Sequence, residues 1–321
     1  MDLFLQRCFD GFFNGAIYAS LALALVMLFR SAGLLNFALG EIGLLGGYTS
    51  LVLFTAAGGA SGAGAFARPI AGTSVASSLP GHPYPLPVAV VLGVLTGALL
   101  GIIIERVVMR RLATRPQFIK INATIALLLA LSALIAEIWG GLPIRYPSIF
   151  PDEPDDYIGV AGSRLRYTTL GAWGLQLGSF ALLWMLLHRT RIGLAFRAVT
   201  SNRESASLAG VPVGRTLSIG WATASAIGTL AAVLVASATV LRPGMMVTVL
   251  ILAFAAATIG GLDSPIGAIV GGLVVGLTQS LVPGYTGFPS ELAVVPPFLV
   301  MTVLLMFRPQ GLFGTKAVAR V

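Results

Sequence analysis

Residues 87–108 read PVAVVLGVLTGALLGIIIERVV, and this stretch indicates which class of protein the chain belongs to. The apolar run has the length of about 20 residues that a helix needs to cross the hydrocarbon core of a bilayer. Gly93, Gly97 and Gly101 recur every four residues, and small residues at that spacing let helix backbones approach closely in lipid. The stretch therefore predicts a membrane-spanning helix whose glycines serve packing.

The composition of the whole chain agrees with this stretch. Hydrophobic residues make up 56% of the chain and charged residues only 10%, with a mean hydropathy of +0.92, whereas soluble domains carry about 25% charged residues. We predict an all-α, polytopic membrane bundle of about eight to ten transmembrane segments, some of them interrupted by glycine. The predicted segments are 10–29, 33–57, 87–108, 118–139, 169–187, 217–241, 245–262, 265–282 and 292–307.

The distribution of charge predicts which loops face the cytoplasm. Lysine and arginine are concentrated in the connections 105–120 and 188–216 and in the tail after Phe307, and positive residues mark cytoplasmic loops. The connection 58–86 is almost uncharged and 140–168 is acidic, so we place both outside. The net charge of +8 is then a matter of topology, and it does not indicate binding to nucleic acid. About nine spans would put the N-terminus outside and the C-terminus inside.

The cytoplasmic loop 188–212 contains a short helix that the sequence delimits at both ends. Ser201 and Glu204 have the spacing of a capping box, in which each side chain binds the other's free backbone N–H. Gly210 suits the left-handed residue that follows a helix. We therefore predict a helix from Ser201 to Ala209 that is presented to a cytoplasmic partner.

The outer loop 140–168 has two parts. Prolines punctuate its first half and exclude a helix there, while residues 157–170, YIGVAGSRLRYTTL, alternate around Ala161-Gly162-Ser163 as a small β-hairpin does. The loop is either an ordered connector or a docking surface for a partner outside the membrane. Its acidic residues are Asp152, Glu153, Asp155 and Asp156.

Residues 30–48, RSAGLLNFALGEIGLLGGY, place polar groups in an apolar run. A carboxylate such as that of Glu41 is expensive in a membrane and normally faces the bundle interior or a water-filled cavity, and interrupted helices mark transport sites. We interpret Asn36 and Glu41 as lining a translocation path. The alternative is structural, with Glu41 capping a neighbouring half-helix or pairing with an arginine. The glycines expected to interrupt this helix are Gly33, Gly40 and Gly43.

Enzymatic chemistry has no support in the sequence. The two histidines, His82 and His188, are too few for a metal site or a catalytic triad, and Cys8 is the only cysteine. The chain lacks the G-x-x-x-x-G-K-[ST] pattern that cradles nucleotide phosphates. We predict a transport subunit without a cofactor or metal, so any ATPase that drives it is another polypeptide.

Several stretches together resemble the permeases of the branched-chain amino acid family of ABC importers, which are fed by a periplasmic binding protein. One departure is that the family commonly has histidine where this chain has Leu39. The matching stretches, in order, are NFALGEIGLLGGY (36–48), IIIERVVMRRL (102–112), RIGLAFRAVTSNRESASLAGV (191–211), IGGLDSPIGAIVGGLVVG (259–276) and FRPQGLFG (307–314).

The resemblance implies one transmembrane permease domain over residues 1–321 and a complex around it. Its expected partners are a homologous second permease or a second copy of the chain, two cytoplasmic ATPase subunits, a periplasmic binding protein and membrane lipid. The resemblance implies that the cytoplasmic loop is the element that couples the permease to the ATPase. The coupling residues it implies, with Glu204 added from the capping pattern, are Arg197, Ala198, Asn202, Glu204, Ala206 and Gly210.

The function expected from this resemblance is import across the bacterial inner membrane, driven by partner ATPases. The cargo would be a branched-chain or other neutral amino acid, or a related small amide. A different class of function is a secondary transporter driven by H⁺ or Na⁺, with Glu41 as the titrating group. A third is a passive channel for small polar solutes.

Overall fold

The computed structural model describes residues 2–57, 84–153, 155–160 and 162–314, which are largely helical. The predicted outer connection 58–86 lies almost wholly outside this range. A π-helical segment, Glu105–Met109, follows the helix Leu86–Ile104, and a short 3₁₀ turn, Ser290–Leu292, precedes the helix Val295–Phe307. The elements are α1 (Asp2–Ala32), α2 (Leu39–Ala57), α3 (Leu86–Ile104), α4 (Gln117–Trp139), β1 (Tyr157–Val160), β2 (Ser163–Arg166), α5 (Tyr167–Arg189), α6 (Arg191–Ser201), α7 (Arg203–Leu208), α8 (Val213–Ala238), α9 (Met245–Gly260), α10 (Pro265–Thr286) and α11 (Val295–Phe307).

Every predicted span contains an apolar helix. Among the described residues, six helices are long and apolar enough to cross a membrane, namely α1, α3, α4, α5, α8 and α10. The helices α2, α9 and α11 are apolar but shorter. The prediction of a polytopic helical membrane protein is confirmed.

Proline and serine determine where several of these helices begin. Pro116 and Pro212 directly precede α4 and α8, and proline is tolerated there because the first turn of a helix has no use for its missing N–H. The start of α10 is capped, because Ser264 Oγ accepts a hydrogen bond from the N–H of Gly267 at 3.0 Å. The predicted separation of the spans 245–262 and 265–282 is therefore confirmed, because a new helix begins at Pro265.

One compact unit comprises α1, the hairpin, α5, most of α9, α10 and α11. Within it α1 packs along α10 through facing glycines. A Cβ added to Gly11 would lie 3.0 Å from Leu277 Cα, and one added to Gly276 would overlap the backbone of Gly15. The glycines of α1 and α10 therefore serve close packing of the two helices.

A second compact unit comprises α2, α3, the π-helical segment, α4, α7 and α8. Here α3 contacts both α2 and α8. A Cβ on Gly93 would lie 2.7 Å from the carbonyl oxygen of Gly46, and one on Gly101 would lie 2.8 Å from that of Trp221. The predicted packing role of the Gly93, Gly97 and Gly101 repeat is also confirmed.

The outer loop has the two parts that the sequence predicts. Its described residues before β1 form no helix. Strands β1 and β2 form an antiparallel hairpin in which Tyr157 lies opposite Arg166 and Val160 opposite Ser163. Gly162 turns the chain between the strands with a φ of 86°, a left-handed conformation that favours glycine.

Candidate functional site

The first break in the apolar helices lies between α1 and α2. Gly33 follows α1 with a φ of 67°, and its N–H donates to Phe29 O at 2.8 Å. The Oδ1 atom of Asn36 then accepts a hydrogen bond from the N–H of Ala38 at 3.0 Å, which is a typical side-chain turn. The predicted span 33–57 is thus wrong at its start, because Asn36 lies in the break and the helix begins at Leu39.

Glu41 is the third residue of α2, so it lies at the beginning of the helix and not well inside it as the predicted span implied. The side chain is 1% exposed, and neither carboxylate oxygen has a hydrogen-bond partner. The backbone of Gly244, just before α9, lies close to the carboxylate of Glu41, but the two groups do not form a hydrogen bond. Asn36 is fully buried, and its Nδ2 is likewise unpartnered.

Leaving buried polar groups unpaired costs about 1–3 kcal/mol for each neutral group, and more for a charge. At the first break the unpaired set combines an acceptor group, the carboxylate of Glu41, with a donor group, the amide nitrogen of Asn36. This pair is complementary to the ammonium and the carboxylate of an amino-acid zwitterion. Leu39 lies between Asn36 and Glu41 in the sequence, at the position where the resemblance implies a histidine in the family. Its side chain is fully buried.

Gly40 and Gly43 do not interrupt the helix, and that prediction is wrong. Both lie inside α2, where they allow neighbouring backbone to approach. A Cβ on Gly40 would lie 3.3 Å from the carbonyl oxygen of Met246, and one on Gly43 would overlap the backbone of Gly228. Their role is to bring the residues around Glu41 against residues 244–246 and α8.

An aromatic pair that the sequence analysis missed lies further along α2. The rings of Tyr48 and Trp139 stack with their centroids 5.0 Å apart. Both side chains are buried, and neither Tyr48 Oη nor Trp139 Nε1 has a hydrogen-bond partner. Tyr48 follows Glu41 by seven residues, which places the two on one face of a helix. That spacing was the available signal, whereas the pairing with α4 was not readable from sequence.

The second break, between α9 and α10, is closed by the chain itself. Gly261 has a φ of 103°. The carbonyls of Ile259 and Gly260 accept hydrogen bonds from the N–H groups of Leu312 and Phe313 at 2.8 and 2.9 Å. The segment FRPQGLFG therefore satisfies the backbone that the break exposes.

The loop 188–212, which we predict to face the cytoplasm, contains two helices, α6 and α7, where one was predicted. Asn202, and not Ser201, caps α7, because its Oδ1 accepts from the N–H of Ser205 at 2.9 Å. Ser201 is the last residue of α6, so the predicted capping box with Glu204 does not form. The predicted end is right: Gly210 has a φ of 78°.

The expected coupling residues lie on these two helices or directly beside them. Ala206 is buried, while Arg197, Asn202, Glu204 and Gly210 are exposed. Ala198 is half-buried, and its carbonyl oxygen accepts from the N–H of Asn202 at 3.1 Å. Leu208, which the sequence alone did not single out, ends α7 with a side chain that is 87% exposed.

The acidic cluster of the outer loop is partly engaged within the loop. Asp152 forms an exposed ion pair with Arg166 at 3.6 Å, and Asp156 Oδ2 accepts a hydrogen bond from the N–H of Glu153 at 2.9 Å. The loop is anchored to α2 through Tyr146, whose hydroxyl lies 2.8 Å from Ser50 Oγ. Burial raises the pKa of Tyr146 to about 12, so this hydroxyl stays protonated.

Metal chemistry finds no support in the part of the chain that the structure describes, which holds no group of three or more metal-ligating side chains.

Comparison with known proteins gives a consistent result over almost the full length. Residues 8–305 match the profile of the family described as branched-chain amino acid transport system / permease component. No solved structure matches the chain.

Relatives with similar names cover both sequences nearly end to end. The high-affinity branched-chain amino acid transport system permease protein LivH of Salmonella typhimurium is 26% identical over 99% of this chain and 98% of its own length. LivH of Escherichia coli K12 is 26% identical and BraD of Pseudomonas aeruginosa 25% identical over the same shares. These proteins are transport subunits and not enzymes, and the chain belongs to the same family, the permeases of branched-chain amino acid ABC importers.

Proposed function

We propose that this permease carries a branched-chain or other neutral amino acid, or a related small amide, into the cell across the bacterial inner membrane. The observation that supports a polar cargo is the unpartnered pair at the first helix break, Asn36 Nδ2 and the carboxylate of Glu41. A cargo with an ammonium and a carboxylate or amide group would satisfy both. The family match supports the cargo class.

Asn36, Glu41, Gly40 and Gly43 form the proposed translocation site. The two polar residues contact the cargo, and the two glycines hold α2 against its neighbours so that the polar residues stay buried. Of the structural partners, Gly244 just before α9 lies close to the Glu41 carboxylate without forming a hydrogen bond to it, and neither oxygen binds an arginine. This favours the role in the path.

Coupling to ATP hydrolysis is assigned to α6, α7 and Gly210. The exposed side chains of Arg197, Asn202 and Glu204 form the polar part of the surface, and Leu208 forms its apolar part. Ala206 is the buried contact that joins α7 to the rest of its unit. Residues of this kind fit a cleft on a cytoplasmic ATPase subunit.

The complete importer would contain partners that this chain lacks. They are a homologous second permease or a second copy of this chain, two ATPase subunits and a periplasmic binding protein, with lipid around the apolar helices. We assign docking of the binding protein to the outer loop 140–168, because it combines a hairpin with exposed acidic side chains. No cofactor is required.

The test of the transport site is a Glu41→Gln variant in the assembled complex, with Glu137→Gln as the matched control. Glu137 lies in α4 of the same unit but is exposed. We expect Glu41→Gln to reduce uptake of a branched-chain amino acid at least about tenfold, the loss of about 1.4 kcal/mol of binding. The complex should still assemble, and Glu137→Gln should transport normally. Uptake by Glu41→Gln equal to that of the control would contradict the assignment of the path.

A further inference from the structure

An ion pair between a buried carboxylate, that of Glu105, and the partly exposed guanidinium of Arg110 lies at the end of α3. Glu105 begins the π-helical segment and is 2% exposed. Arg110 follows that segment and binds both carboxylate oxygens, with Nη2 2.7 Å from Oε2 and Nε 3.1 Å from Oε1. Such a two-pronged contact is the geometry that holds a carboxylate most firmly.

The π-helical geometry is what brings the two residues together. The N–H of Arg110 donates to the carbonyl oxygen of Glu105, five residues earlier, at 2.7 Å. Wide turns of this kind are uncommon, and this one lies where α3 ends. In the sequence, Arg110 counted only as one of several cytoplasmic positive charges.

The same pair binds the first turns of α8. Arg110 Nη2 donates to the carbonyl oxygen of Gly214 at 2.9 Å. Ser218 Oγ donates to Glu105 Oε2 at 2.6 Å and lies 2.9 Å from Arg110 Nη2. The cluster of Glu105, Arg110 and Ser218 therefore fastens the end of α3 to the start of α8.

The start of α8 is also where α7 joins the transmembrane helices. The N–H of Val211 donates to the carbonyl oxygen of Ala206 at 3.0 Å, which closes the end of α7. Gly214 lies only four residues after Gly210. A displacement of α7 would therefore move the start of α8 as well, and the cluster would transmit that movement to α3.

We propose that Glu105, Arg110 and Ser218 are positioning residues that transmit the movement of α7 to α3 and so couple ATP hydrolysis to transport. This rests on the proposed coupling function of α7. Breaking the ion pair would leave the buried carboxylate without its positive partner and would loosen the start of α8 from the end of α3. The complex would then hydrolyse ATP with less uptake for each ATP consumed.

The chain offers a matched control beside Arg110. Arg111 is its neighbour, is exposed and is not part of the cluster. Arg110→Gln and Arg111→Gln make the same chemical change. In vesicles that contain the whole complex, we expect uptake per ATP hydrolysed to fall about tenfold for Arg110→Gln and to stay within about twofold for Arg111→Gln, tenfold being about 1.4 kcal/mol. Arg110→Lys should recover part of the loss, since lysine keeps the charge but not the two-pronged contact.

Two further arms separate the possible failures. A merely structural role would lower the amount of complex but leave uptake per ATP unchanged in the complex that remains, and that result would overturn the proposal. If Arg110→Gln does not assemble, Ser218→Ala, which keeps the ion pair, decides instead. Uptake per ATP in Ser218→Ala equal to that of the unmodified complex would refute the transmission role.

Ser205→Pro, which places proline inside α7, tests the coupling function itself. If uptake per ATP is unchanged in Ser205→Pro, the proposed coupling function of α7 is wrong. If it falls in Ser205→Pro but stays normal in Arg110→Gln, only the proposed role of the cluster is wrong.

Discussion

The two breaks in the apolar helices are built alike and finished differently. Each follows a glycine with positive φ, Gly33 in one and Gly261 in the other, and each is followed by a polar side chain that accepts a backbone hydrogen bond. At the second break, the tail segment binds the free carbonyls. At the first break, the side chains of Asn36 and Glu41 keep unpartnered atoms in a buried place.

This difference indicates which break is structural and which one is a binding site. The second break shows that this fold can satisfy exposed backbone groups with its own chain, so an unpaired carboxylate at the first break indicates a binding role. Leaving a charged group unpaired costs several kcal/mol, and a cargo that binds both groups offsets this cost. We therefore assign packing to the second break and transport to the first.

The largest expected effect separates the two breaks by their tolerance of a methyl group. A Cβ on Gly311 would lie 2.7 Å from Gly261 N and from Thr258 O, and Gly311 also has a φ of 78°. Gly33 has nothing within 4 Å of its added Cβ. Gly311→Ala should cost about 2–5 kcal/mol from strain and overlap, and Gly33→Ala only about 1–2 kcal/mol from its φ.

The amount of folded permease in the membrane and its thermal stability measure this difference. Equal losses for Gly311→Ala and Gly33→Ala would show that the tail does not close the second break.

The second prediction concerns the donor at the first break. Asn36→Asp keeps the oxygen that accepts from Ala38 N–H but replaces the unpartnered amide with a second oxygen. The new charge would repel the carboxylate of a zwitterion, so uptake should fall about tenfold or more, equivalent to about 1.4 kcal/mol. Asn122→Asp, at an exposed position of α4, is the control. Initial uptake rates per assembled complex are the quantity to compare, and equal rates for both variants would argue against a cargo contact at Asn36.

The positions of the helices were predictable, because hydropathy over about 20 residues is a strong signal. Their ends were not, and the first break shows why. Hydropathy does not distinguish residues 33–38 from the helix that follows, so the span 33–57 placed Asn36 and Glu41 too deep. The break depends on the φ of one glycine and one side-chain turn, which average out over such a window.

The sites were predictable only where the signal is local. The end of α7 followed from Gly210, but its start did not, because Ser201 and Asn202 are adjacent residues that can both cap a helix. The stacked Tyr48 and Trp139 and the contact of Glu105 with Ser218 join residues that lie 91 and 113 positions apart in the chain. Nothing in the local pattern announces such pairs.

A smaller effect is expected from removing the cap at the second break. Ser264→Ala deletes the Oγ that accepts from Gly267 N–H and should cost about 1 kcal/mol. Uptake per assembled complex should not change, because this break only packs. Thermal unfolding and uptake should be measured on the same preparation. A variant that is stably folded but has lost uptake would show that the second break is part of the transport site.

The smallest effect is expected outside both breaks, in the outer loop. Replacing Asp152, Glu153, Asp155 and Asp156 with the corresponding amides should weaken docking of the binding protein by about 1 kcal/mol or less for each exposed pair. The effect should shrink as salt is raised. Affinity of the binding protein for the reconstituted complex is the measurement. If affinity stays the same at low salt, the acidic cluster is a solvated surface and docking lies elsewhere.

The central claim, that the first break is the transport site and the second is not, is tested most directly by chemical accessibility. In a Cys8→Ser background, Asn36→Cys or Ser264→Cys introduces a single cysteine. A water-soluble thiol reagent is then added to the complete complex at rest and during ATP-driven turnover. We expect the cysteine at position 36 to react faster during turnover and to be protected by a branched-chain amino acid, and the cysteine at position 264 to show neither effect. Protection by that amino acid at 264, or none at 36, would contradict the claim.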